Sequence, residues 1–447
     1  MPRDYKDTCL LPQTAFAMKA DLFKREPAWL ARWDARDADG KNLYDRMLDR
    51  DVPGRFVFHD GPPYANGNLH YGHVLNNTLK DFVTRSRNML GESTRFIPGW
   101  DCHGLPIELN VDRELKRKGE AVTPAQVRAL CREEAARWMN VQRVERKRLG
   151  MLGTWDEPYL TMNHAFEADI VRTLRAFVEH GLVYRGRKPV QWCAHCRTAL
   201  AEAEVEYDEF HVSPSVYVKF ALDEASAEKA RALTGSSAKR LYALIWTTTP
   251  WTLTANLAVA LHPELDYVVL EAADGEGWLV ARALAESVAR AAGLANVSVT
   301  RAVKGSELTG LTARHPFEDR ASPLVLAPYV EADAGTGLVH TAPGHGRDDY
   351  ATGQKYGLEP YAPVADDGTY TNELAAGAKS MGLEGVFVFK ANPVVEKALA
   401  DRGALANPLG RTVTHKYPIC WRCKNALITR ATTQWFIALD RPMNDGK

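Results

Sequence analysis

One stretch decides the fold of the N-terminal part of the chain: Pro62-Pro63-Tyr64-Ala65-Asn66-Gly67-Asn68-Leu69-His70-Tyr71-Gly72-His73. It follows Arg55–Phe58, an apolar run typical of a buried strand, which the two prolines end because proline cannot continue a ladder. From about 70 to 90, apolar residues recur with a helical period. Strand, loop and helix in this order predict a helix N-terminus at the carboxyl edge of a sheet, where open α/β sheets bind ligands.

This predicted helix start suits a phosphate group. Free N–H groups and the helix dipole favour an anion there. His70 and His73 are three residues apart and share one helix face, so both could donate hydrogen bonds to charge that develops on a phosphate during in-line attack. Gly72 leaves room for a flat base against the backbone. The alternative is a helix start that contains two histidines without a catalytic role.

Two Cys-x-x-Cys pairs, Cys193/Cys196 and Cys420/Cys423, lie on either side of residues 197–419. Four thiolates complete the tetrahedral coordination of a structural zinc ion and leave no position for water. A shared zinc would bring both ends of the intervening segment together, which predicts one domain interrupted by another. Buried thiols at each place are the alternative. Cysteine usage of this kind fits a reducing cytosol better than a disulfide framework.

The intervening segment is predicted to be β-rich and contains two polar motifs. Trp246–Asn256 holds a run of threonines after a strand, and Gly335–Tyr350 is a glycine-rich turn with histidines and paired acids. Taken singly, each is more often β-propensity or an ordinary loop. The elements predicted beyond the first motif are helices at about 124–150, 165–181 and 281–291, and strands at 215–221, 241–246, 266–270, 277–280, 417–423 and 434–439.

Composition limits the class of protein without naming a function. The chain has 447 residues, 45% apolar and 25% charged, with 56 basic and 56 acidic side chains, so a nucleic acid must be held by local patches rather than by net charge. No apolar run reaches the length of a membrane helix, and Met1–Leu22 lacks a signal-peptide core. We expect a cytoplasmic protein without membrane association.

The 62–73 stretch resembles the HIGH signature of class I aminoacyl-tRNA synthetases, with Tyr71 in the variable second place. The string Gly99-Trp100-Asp101-Cys102-His103-Gly104-Leu105-Pro106-Ile107-Glu108 makes the chain look like the isoleucyl-tRNA synthetases within that class. The resemblance begins at Lys24-Arg25-Glu26-Pro27 and runs through essentially the whole chain. It implies an α/β fold: a Rossmann-like (HUP-type) parallel-sheet nucleotide-binding domain interrupted by a β-rich editing domain.

The resemblance also implies roles for individual residues. Asp101 would pair with the substrate ammonium, and Gly61 and Pro62 would line the aliphatic pocket; unaided, Asp101 is more often a structural acid. The implied catalytic residues are His70, Gly72 and His73, and the implied ATP-binding residues are Pro63, Tyr64, Ala65, Asn66, Gly67, Asn68, Leu69 and Tyr71. The expected partners are L-isoleucine, ATP with Mg²⁺, and tRNA(Ile), bound by a monomer that also holds structural Zn²⁺.

The two motifs of the intervening segment resemble the editing (CP1) domain of the isoleucine, valine and leucine enzymes. Valine is one methylene smaller than isoleucine, a difference worth only ~1–3 kcal/mol, and this enzyme family is itself the standard illustration of that limit. A second pocket would hydrolyse the mischarged valyl ester with water as the nucleophile. The resemblance implies that Asp349 binds the amino group, that His340 shapes the pocket, and that the ester and terminal adenosine are held by Thr247, Thr248, Thr249 and Asn256.

The resemblance divides the chain into five segments: an N-terminal helical extension (1–49), the first half of the Rossmann catalytic domain (50–185), a zinc-knuckle crossover strand (186–204), the editing domain (205–400) and a return crossover with the second knuckle (401–447). The family's Lys-Met-Ser-Lys-Ser loop does not occur. We therefore expect an N-terminal portion that activates isoleucine poorly or not at all alone and deacylates valyl-tRNA weakly. The alternative functions are a small-molecule nucleotidyltransferase and a zinc-ribbon nucleic-acid binding module.

Overall fold

The structure is a computed structural model that describes residues 5–10, 14–15 and 19–441. The described residues form two compact units. The first unit ends at His180 and the second begins at Gly181. Each unit has its own apolar core: the first packs around Phe96, Trp100 and Ile107, and the second around the strands that follow Val216.

The first unit is mainly helical. Its helices are α1 (Leu22–Asp34), α2 (Leu43–Leu48), α3 (Tyr71–Met89), α4 (Leu105–Lys118), α5 (Pro124–Arg148) and α6 (His164–Glu179). Its strands are two residues each: β1 (Gly54–Arg55), β2 (Glu92–Ser93), β3 (Gly99–Trp100) and β4 (Tyr159–Leu160). β1 pairs with β2 and β3 pairs with β4, both in parallel, and a parallel bridge joins Tyr64 to Asp101.

The helix predicted after the first motif is confirmed as α3, and those predicted near 124–150 and 165–181 are α5 and α6. Thr123 caps α5, because its hydroxyl accepts from the Gln126 N–H while the Gln126 side chain accepts from the Thr123 N–H. Pro27 lies inside α1, since that helix begins at Leu22.

The strand predicted over Arg55–Phe58 is wrong beyond Arg55. Phe56 donates its N–H to the Ser93 carbonyl, but the ladder then stops. The reason is the next residue of the partner segment, Thr94. Its carbonyl accepts from the Tyr44 hydroxyl and the Asn88 amide, so side chains take the place of further strand pairing.

The second unit is β-rich, as predicted. Its strands are β5 (Val183–Cys193), β6 (Thr198–Ala199), β7 (Val205–Pro214), β8 (Val216–Leu222), β9 (Arg240–Thr247), β10 (Ala258–Leu261), β11 (Asp266–Glu271), β12 (Glu276–Ala281), β13 (Ser298–Val299), β14 (Val303–Lys304), β15 (Thr312–Arg314), β16 (Ala321–Leu326), β17 (Leu338–Thr341), β18 (Thr412–Cys420) and β19 (Ile428–Ile437). Its helices are α7 (Glu224–Thr234), α8 (Ala285–Ala291), α9 (Arg347–Tyr356), α10 (Ala376–Ser380) and α11 (Val388–Asp401).

Most strands of the second unit form one mixed sheet. Its order is β13-β11-β12-β9-β8-β15-β16-β10-β17, with β14 on β11. The pairs β9/β12 and β10/β16 are parallel, and the other neighbours are antiparallel. The threonine motif begins at the end of β9, which closes at Thr247, whereas the glycine-rich motif contains the whole of β17. The helix predicted at 281–291 is shorter: Ala281 ends β12, and α8 starts at Ala285.

Long antiparallel strands carry the two cysteine pairs. β5 pairs with β19 from Val183/Ile437 to Trp192/Ile428, and β7 pairs with β18. The strand predicted over 417–423 ends at Cys420, where the second cysteine turn begins. Within residues 5–10, 14–15 and 19–441, none of the helices combines the length and apolar character needed to cross a bilayer.

Candidate functional site

His70 directly precedes α3, and its side chain caps the helix. Its Nδ1 accepts from the N–H groups of Gly72 at 3.1 Å and His73 at 3.4 Å, while Nδ1 of His73 accepts from the His70 N–H at 3.4 Å. The two imidazole rings stack with centroids 3.8 Å apart. The structure therefore brings both predicted catalytic histidines together, each ring fixed by a backbone bond.

These bonds define the tautomers. Nδ1 of each ring accepts, so Nε2 of each neutral ring carries the proton and can donate to a ligand. Burial, followed by the nearby His70, lowers the pKa of His73, which keeps that ring neutral at pH 7. Gly72 leaves little room for a side chain, because a Cβ there would lie 3.0 Å from Cε1 and 3.1 Å from Nδ1 of His70.

The residues that were predicted to bind the amino-acid substrate lie beside the same turn. Asp101 donates its N–H to Pro63 O at 2.8 Å and accepts from the Ala65 N–H at 2.9 Å through its carbonyl. Its carboxylate accepts from the His103 N–H at 3.2 Å. Pro62 lies against Gly99, where a Cβ would be 3.3 Å from the proline Cβ, and the space beside Gly61 is open.

Tyr71 is 94% exposed, so its side chain faces away from the packed part of the turn. The turn 64–69 is instead contacted from α5, by Gln142 and Glu145. Sequence reasoning missed both residues because they belong to no local motif. The only signal in the sequence was that a polar residue occupies a position that the helical period of α5 places in the interior of the first unit.

In the second unit, the threonine run and the glycine-rich turn meet. Thr247 Oγ1 lies 3.2 Å from Thr249 Oγ1, which lies 3.3 Å from Thr252 Oγ1. Thr252 Oγ1 in turn lies 3.0 Å from Nε2 of His340. The sequence predicted Thr247, Thr249 and His340 as site residues but missed Thr252, which links them.

Asp349, at the start of α9, is held by two donors. Tyr329 donates its hydroxyl to one carboxylate oxygen at 3.1 Å, and the Ala342 N–H donates to the other at 2.9 Å. Burial raises the pKa of Asp349 to about 6. At pH 7 it is therefore mostly an anion, held in a setting that favours a cationic partner. Tyr329 was missed because it lies outside both motifs.

Asn256 and Thr248 occupy different environments. Asn256 is 0% exposed; its amide accepts from Ser322 Oγ at 2.7 Å and donates to Ala258 O at 2.8 Å. The structure places it in the interior, at the end of the threonine segment. Thr248 and Thr249 line a cleft of about 360 Å³ whose other lining includes Trp251 and Tyr417.

The glycine-rich motif contributes two buried histidines, His340 and His345. Burial lowers the pKa of His340 and of His345 to about 4 each, so both are neutral at pH 7. His345 Nδ1 lies 2.8 Å from Thr429 O, which makes Nδ1 the protonated nitrogen. Within the described part of the chain, Nδ1 of His340 and Nε2 of His345 have no hydrogen-bond partner.

The four predicted zinc ligands converge. The sulfur atoms of Cys193, Cys196, Cys420 and Cys423 all lie within 4.8 Å of one another, and the Cys193 and Cys423 sulfurs are 3.4 Å apart without a disulfide. Tetrahedral zinc with Zn–S bonds of ~2.3 Å would set the sulfurs ~3.8 Å apart. Burial raises the pKa of Cys196 to about 11, whereas at Cys423 hydrogen bonds from Asn425 and the neighbouring thiols outweigh burial and lower the pKa to about 6. A bound cation would favour the thiolate form of all four. The donor set fits zinc.

Comparisons with known proteins identify the relatives of this chain. The family model described as tRNA synthetases class I (I, L, M and V) matches residues 28–446. The isoleucine–tRNA ligase of Desulfovibrio desulfuricans is 49% identical over 438 residues, which is 98% of this chain and 45% of that protein. That of Methylococcus capsulatus is 48% identical over 444 residues, 98% of this chain and 46% of that protein.

Two solved structures are more distant. The ternary complex of the Agrobacterium radiobacter K84 agnB2 LeuRS with tRNA and LeuAMS is 17% identical, covers 93% of this chain and 48% of that chain, and has a TM-score of 0.35. The GlLeuRS-CP1 structure is 18% identical, covers 43% of this chain and 97% of that chain, and has a TM-score of 0.36.

The chain spans about half the length of the curated relatives that it matches. The family model covers almost all of it, from the second half of α1 to beyond β19. The match includes the histidine pair of α3, the threonine–histidine network and the four cysteines. This chain belongs to the class I tRNA synthetases of the isoleucine, leucine, methionine and valine group.

Proposed function

We propose that this chain is the part of an isoleucine–tRNA ligase that carries the first half of the adenylate-forming site and the editing domain. One observation carries the proposal: 49% identity to the Desulfovibrio desulfuricans isoleucine–tRNA ligase across 98% of the chain. The geometry supports it, since the stacked histidine pair and the buried threonine–histidine network suit two different reactions of one enzyme.

In the proposed first reaction, a carboxylate oxygen of L-isoleucine attacks the α-phosphorus of ATP and pyrophosphate leaves. His70 and His73 donate Nε2–H groups toward charge on the phosphate, and the N-terminus of α3 adds its dipole. Mg²⁺ accompanies ATP and neutralises part of its charge. The residues Pro63, Tyr64, Ala65, Asn66, Gly67, Asn68, Leu69 and Tyr71 surround ATP.

We propose that the amino acid binds beside this turn. Asp101 pairs with its ammonium group, and Gly61 and Pro62 line the aliphatic pocket. Support comes from the two backbone bonds that place Asp101 against residues 63–65. The parallel pairs β1/β2 and β3/β4 are the beginnings of a Rossmann-like (HUP-type) sheet. The isoleucyl group then passes from AMP to the 3′ end of tRNA(Ile).

The proposed second reaction removes valine from mischarged tRNA(Ile). Water attacks the ester carbonyl, the bond to the ribose oxygen breaks, and valine and tRNA are released. Asp349 binds the ammonium group, supported by its buried anionic carboxylate. His340 shapes the side-chain pocket, and Thr247, Thr248 and Thr249 hold the ester. Asn256 acts from the interior by anchoring the end of the threonine segment.

The four cysteines would hold a structural Zn²⁺ that joins the strands leading into and out of the editing domain. We propose that the chain divides into the five segments 1–49, 50–185, 186–204, 205–400 and 401–447. The end of the first compact unit at His180 supports the boundary between the second and third segments. The proposed enzyme acts as a cytoplasmic monomer.

Deacylation tests the proposal on the chain itself. Valyl-tRNA(Ile) should lose valine in its presence, while isoleucyl-tRNA(Ile) stays charged, and Asp349→Ala should abolish the difference. Asp348→Ala is the matched control, because Asp348 is the exposed neighbour on α9. Equal hydrolysis of both esters, or none, would refute the editing assignment. Isoleucine-dependent pyrophosphate exchange by enzyme with both halves of the catalytic domain tests the activation step, and activation of another amino acid would refute it.

A further inference from the structure

We propose that Gln142 and Glu145, in the last two turns of α5, are positioning residues that hold the 64–69 turn and thereby fix where His70 begins α3. The inference rests on the proposed function, because it concerns the geometry of the adenylate-forming site. Neither residue belongs to a motif of the sequence. Their contacts with the turn, made across more than seventy positions of the chain, carry the inference.

Gln142 holds the first part of the turn. Its Nε2 donates to Tyr64 O at 3.0 Å and to Gly67 O at 2.7 Å, and its Oε1 accepts from Trp100 Nε1 at 3.0 Å. The side chain is 0% exposed. Buried carbonyl groups of a loop need hydrogen-bond donors, and here the side-chain amide of Gln142 donates to two such carbonyls. Gln142 therefore fixes the spacing between residues 64 and 67.

Glu145 holds the last part of the turn. One carboxylate oxygen accepts from Asn68 Nδ2 at 2.6 Å, and the other accepts from the Leu69 N–H at 2.9 Å. Hydrogen bonds to a carboxylate are short and strong compared with neutral ones. Leu69 directly precedes His70, so this bond sets the position of the residue that caps α3.

The remaining bonds of the turn come from other elements. Asn110 of α4 donates its side-chain amide to Asn66 O at 3.1 Å, and Asp101 bonds to residues 63 and 65. A segment without regular secondary structure is thus bonded at nearly every residue before His70. Such preorganisation matters for catalysis because a misplacement of ~1 Å can cost ~100-fold in rate.

The charge of Glu145 affects the pKa of His73, and this pKa distinguishes loss of the charge from loss of structure. His73 faces His70 and Lys80 on its own helix, and Glu145 and Arg146 on α5. The Glu145 carboxylate raises the pKa of His73, whereas burial lowers it. Removing the charge while keeping the turn therefore lowers this pKa further, and loosening the turn raises it toward the ordinary value by exposing the ring.

Two variants and a control test the proposal. Glu145→Gln removes the charge but keeps an acceptor for the Leu69 N–H, whereas Glu145→Ala removes both bonds. Glu133→Gln changes an exposed carboxylate of the same helix. Hydrogen exchange of a peptide spanning 64–70 should accelerate about tenfold in Glu145→Ala and stay unchanged in Glu133→Gln, with melting temperature and circular dichroism confirming a folded chain.

The second readout is the titration of His73 by NMR, its signal assigned by its loss in His73→Gln. Glu145→Gln should lower the pKa of His73 relative to the unmodified chain. A pKa that rises or stays constant, or exchange in Glu145→Ala that matches Glu133→Gln, would overturn the proposal.

The third measurement is the affinity for ATP with Mg²⁺, determined by calorimetry. We expect affinity about tenfold weaker in Glu145→Ala and largely restored in Glu145→Gln. Equal ATP affinity in the unmodified chain and Glu145→Ala would overturn the positioning role. These affinities are measured on enzyme with both halves of the catalytic domain. Failure of that enzyme to bind ATP would count against the proposed function, while exchange and titration would still decide whether Glu145 holds the turn.

Discussion

Thr252 Oγ1 lies 3.0 Å from Nε2 of His340, a residue 88 positions further along the chain. Thr252 donates its own proton to Thr249 O at 2.8 Å, so its oxygen accepts from the protonated Nε2 of His340. The threonine run and the glycine-rich turn are therefore one hydrogen-bonded unit. This bond fixes the tautomer and orientation of His340 and leaves Nδ1 as an acceptor.

Thr252→Val keeps the volume of the side chain but removes the acceptor for the His340 N–H. An unsatisfied buried donor costs about 1–3 kcal/mol, so deacylation of valyl-tRNA(Ile) should fall about tenfold or more. Thr252→Ser restores the hydroxyl and should retain most of the activity. Equal rates for the valine and serine variants would show that the bond does not matter for editing.

Asp349 should make stability depend on pH in the direction opposite to a typical carboxylate. Its pKa is raised by burial from 3.8 to about 6, so between these values the folded chain holds a proton that the unfolded chain has released. The group's contribution to stability therefore falls as pH rises through this window. Relative to Asp349→Asn, the unmodified chain should lose on the order of 1–2 kcal/mol between pH 4 and 7.

Melting temperatures across that pH range measure the effect. Asp348→Asn, at the exposed neighbouring position, should follow the unmodified chain at every pH. If the difference between the unmodified chain and Asp349→Asn is the same at pH 4 and pH 7, the carboxyl group is not buried as described.

Three buried histidines should make the second unit sensitive to acid. Burial lowers the pKa of His315 to about 3 and those of His340 and His345 to about 4, well below the ordinary 6.5. The unfolded chain takes up protons that the folded chain excludes, so stability is present above pH 6.5 and is lost as pH falls toward 4. These three groups outweigh Asp349, which acts in the opposite direction.

His340→Gln should reduce the fall in melting temperature between pH 7 and pH 5, and His180→Gln, at an exposed position, should not. An identical acid profile for His340→Gln and the unmodified chain would contradict the burial of this ring.

Zinc removal should destabilise the second unit. The chain should carry about one zinc ion by elemental analysis, and Cys423→Ser should lose it while Cys9→Ser, at an exposed and isolated cysteine, keeps it. A structural four-thiolate site contributes on the order of 10 kcal/mol in apparent binding free energy. Removal of the zinc ion by a chelator should therefore lower the melting temperature of the second unit, which contains β5 and β18. Stoichiometric zinc in Cys423→Ser would exclude this site as the ligand set.

Gly72→Ala should separate stability from catalysis. Alanine favours a helix over glycine by about 0.8–1 kcal/mol, which offsets a weakened His70 cap, so the variant should stay folded with a melting temperature close to that of the unmodified chain. Its Cβ would meet the His70 ring at 3.0 Å and push it from the Gly72 N–H. We expect weaker binding of ATP with Mg²⁺, measured by calorimetry. Unchanged binding would show that the position of the His70 ring is not required.

Local spacing was enough to predict some of this protein. The proline pair, the apolar period and the His70/His73 interval predicted the start of α3, because helix periodicity acts between residues three and four positions apart. Two Cys-x-x-Cys pairs likewise predicted one cluster, since each pair supplies two ligands by its own geometry and tetrahedral coordination requires four.

Only the tertiary structure decided which distant groups meet. Glu145 bonds to Leu69 and Thr252 to His340 because helix and strand packing bring them together, and no local rule relates positions so far apart. The same is true of the strand at Phe56, which stops because the side chains of Tyr44 and Asn88 take the Thr94 carbonyl. Short-range spacing determines where a helix or ligand pair begins, whereas burial forces each remaining polar group to find its partner wherever the fold supplies one.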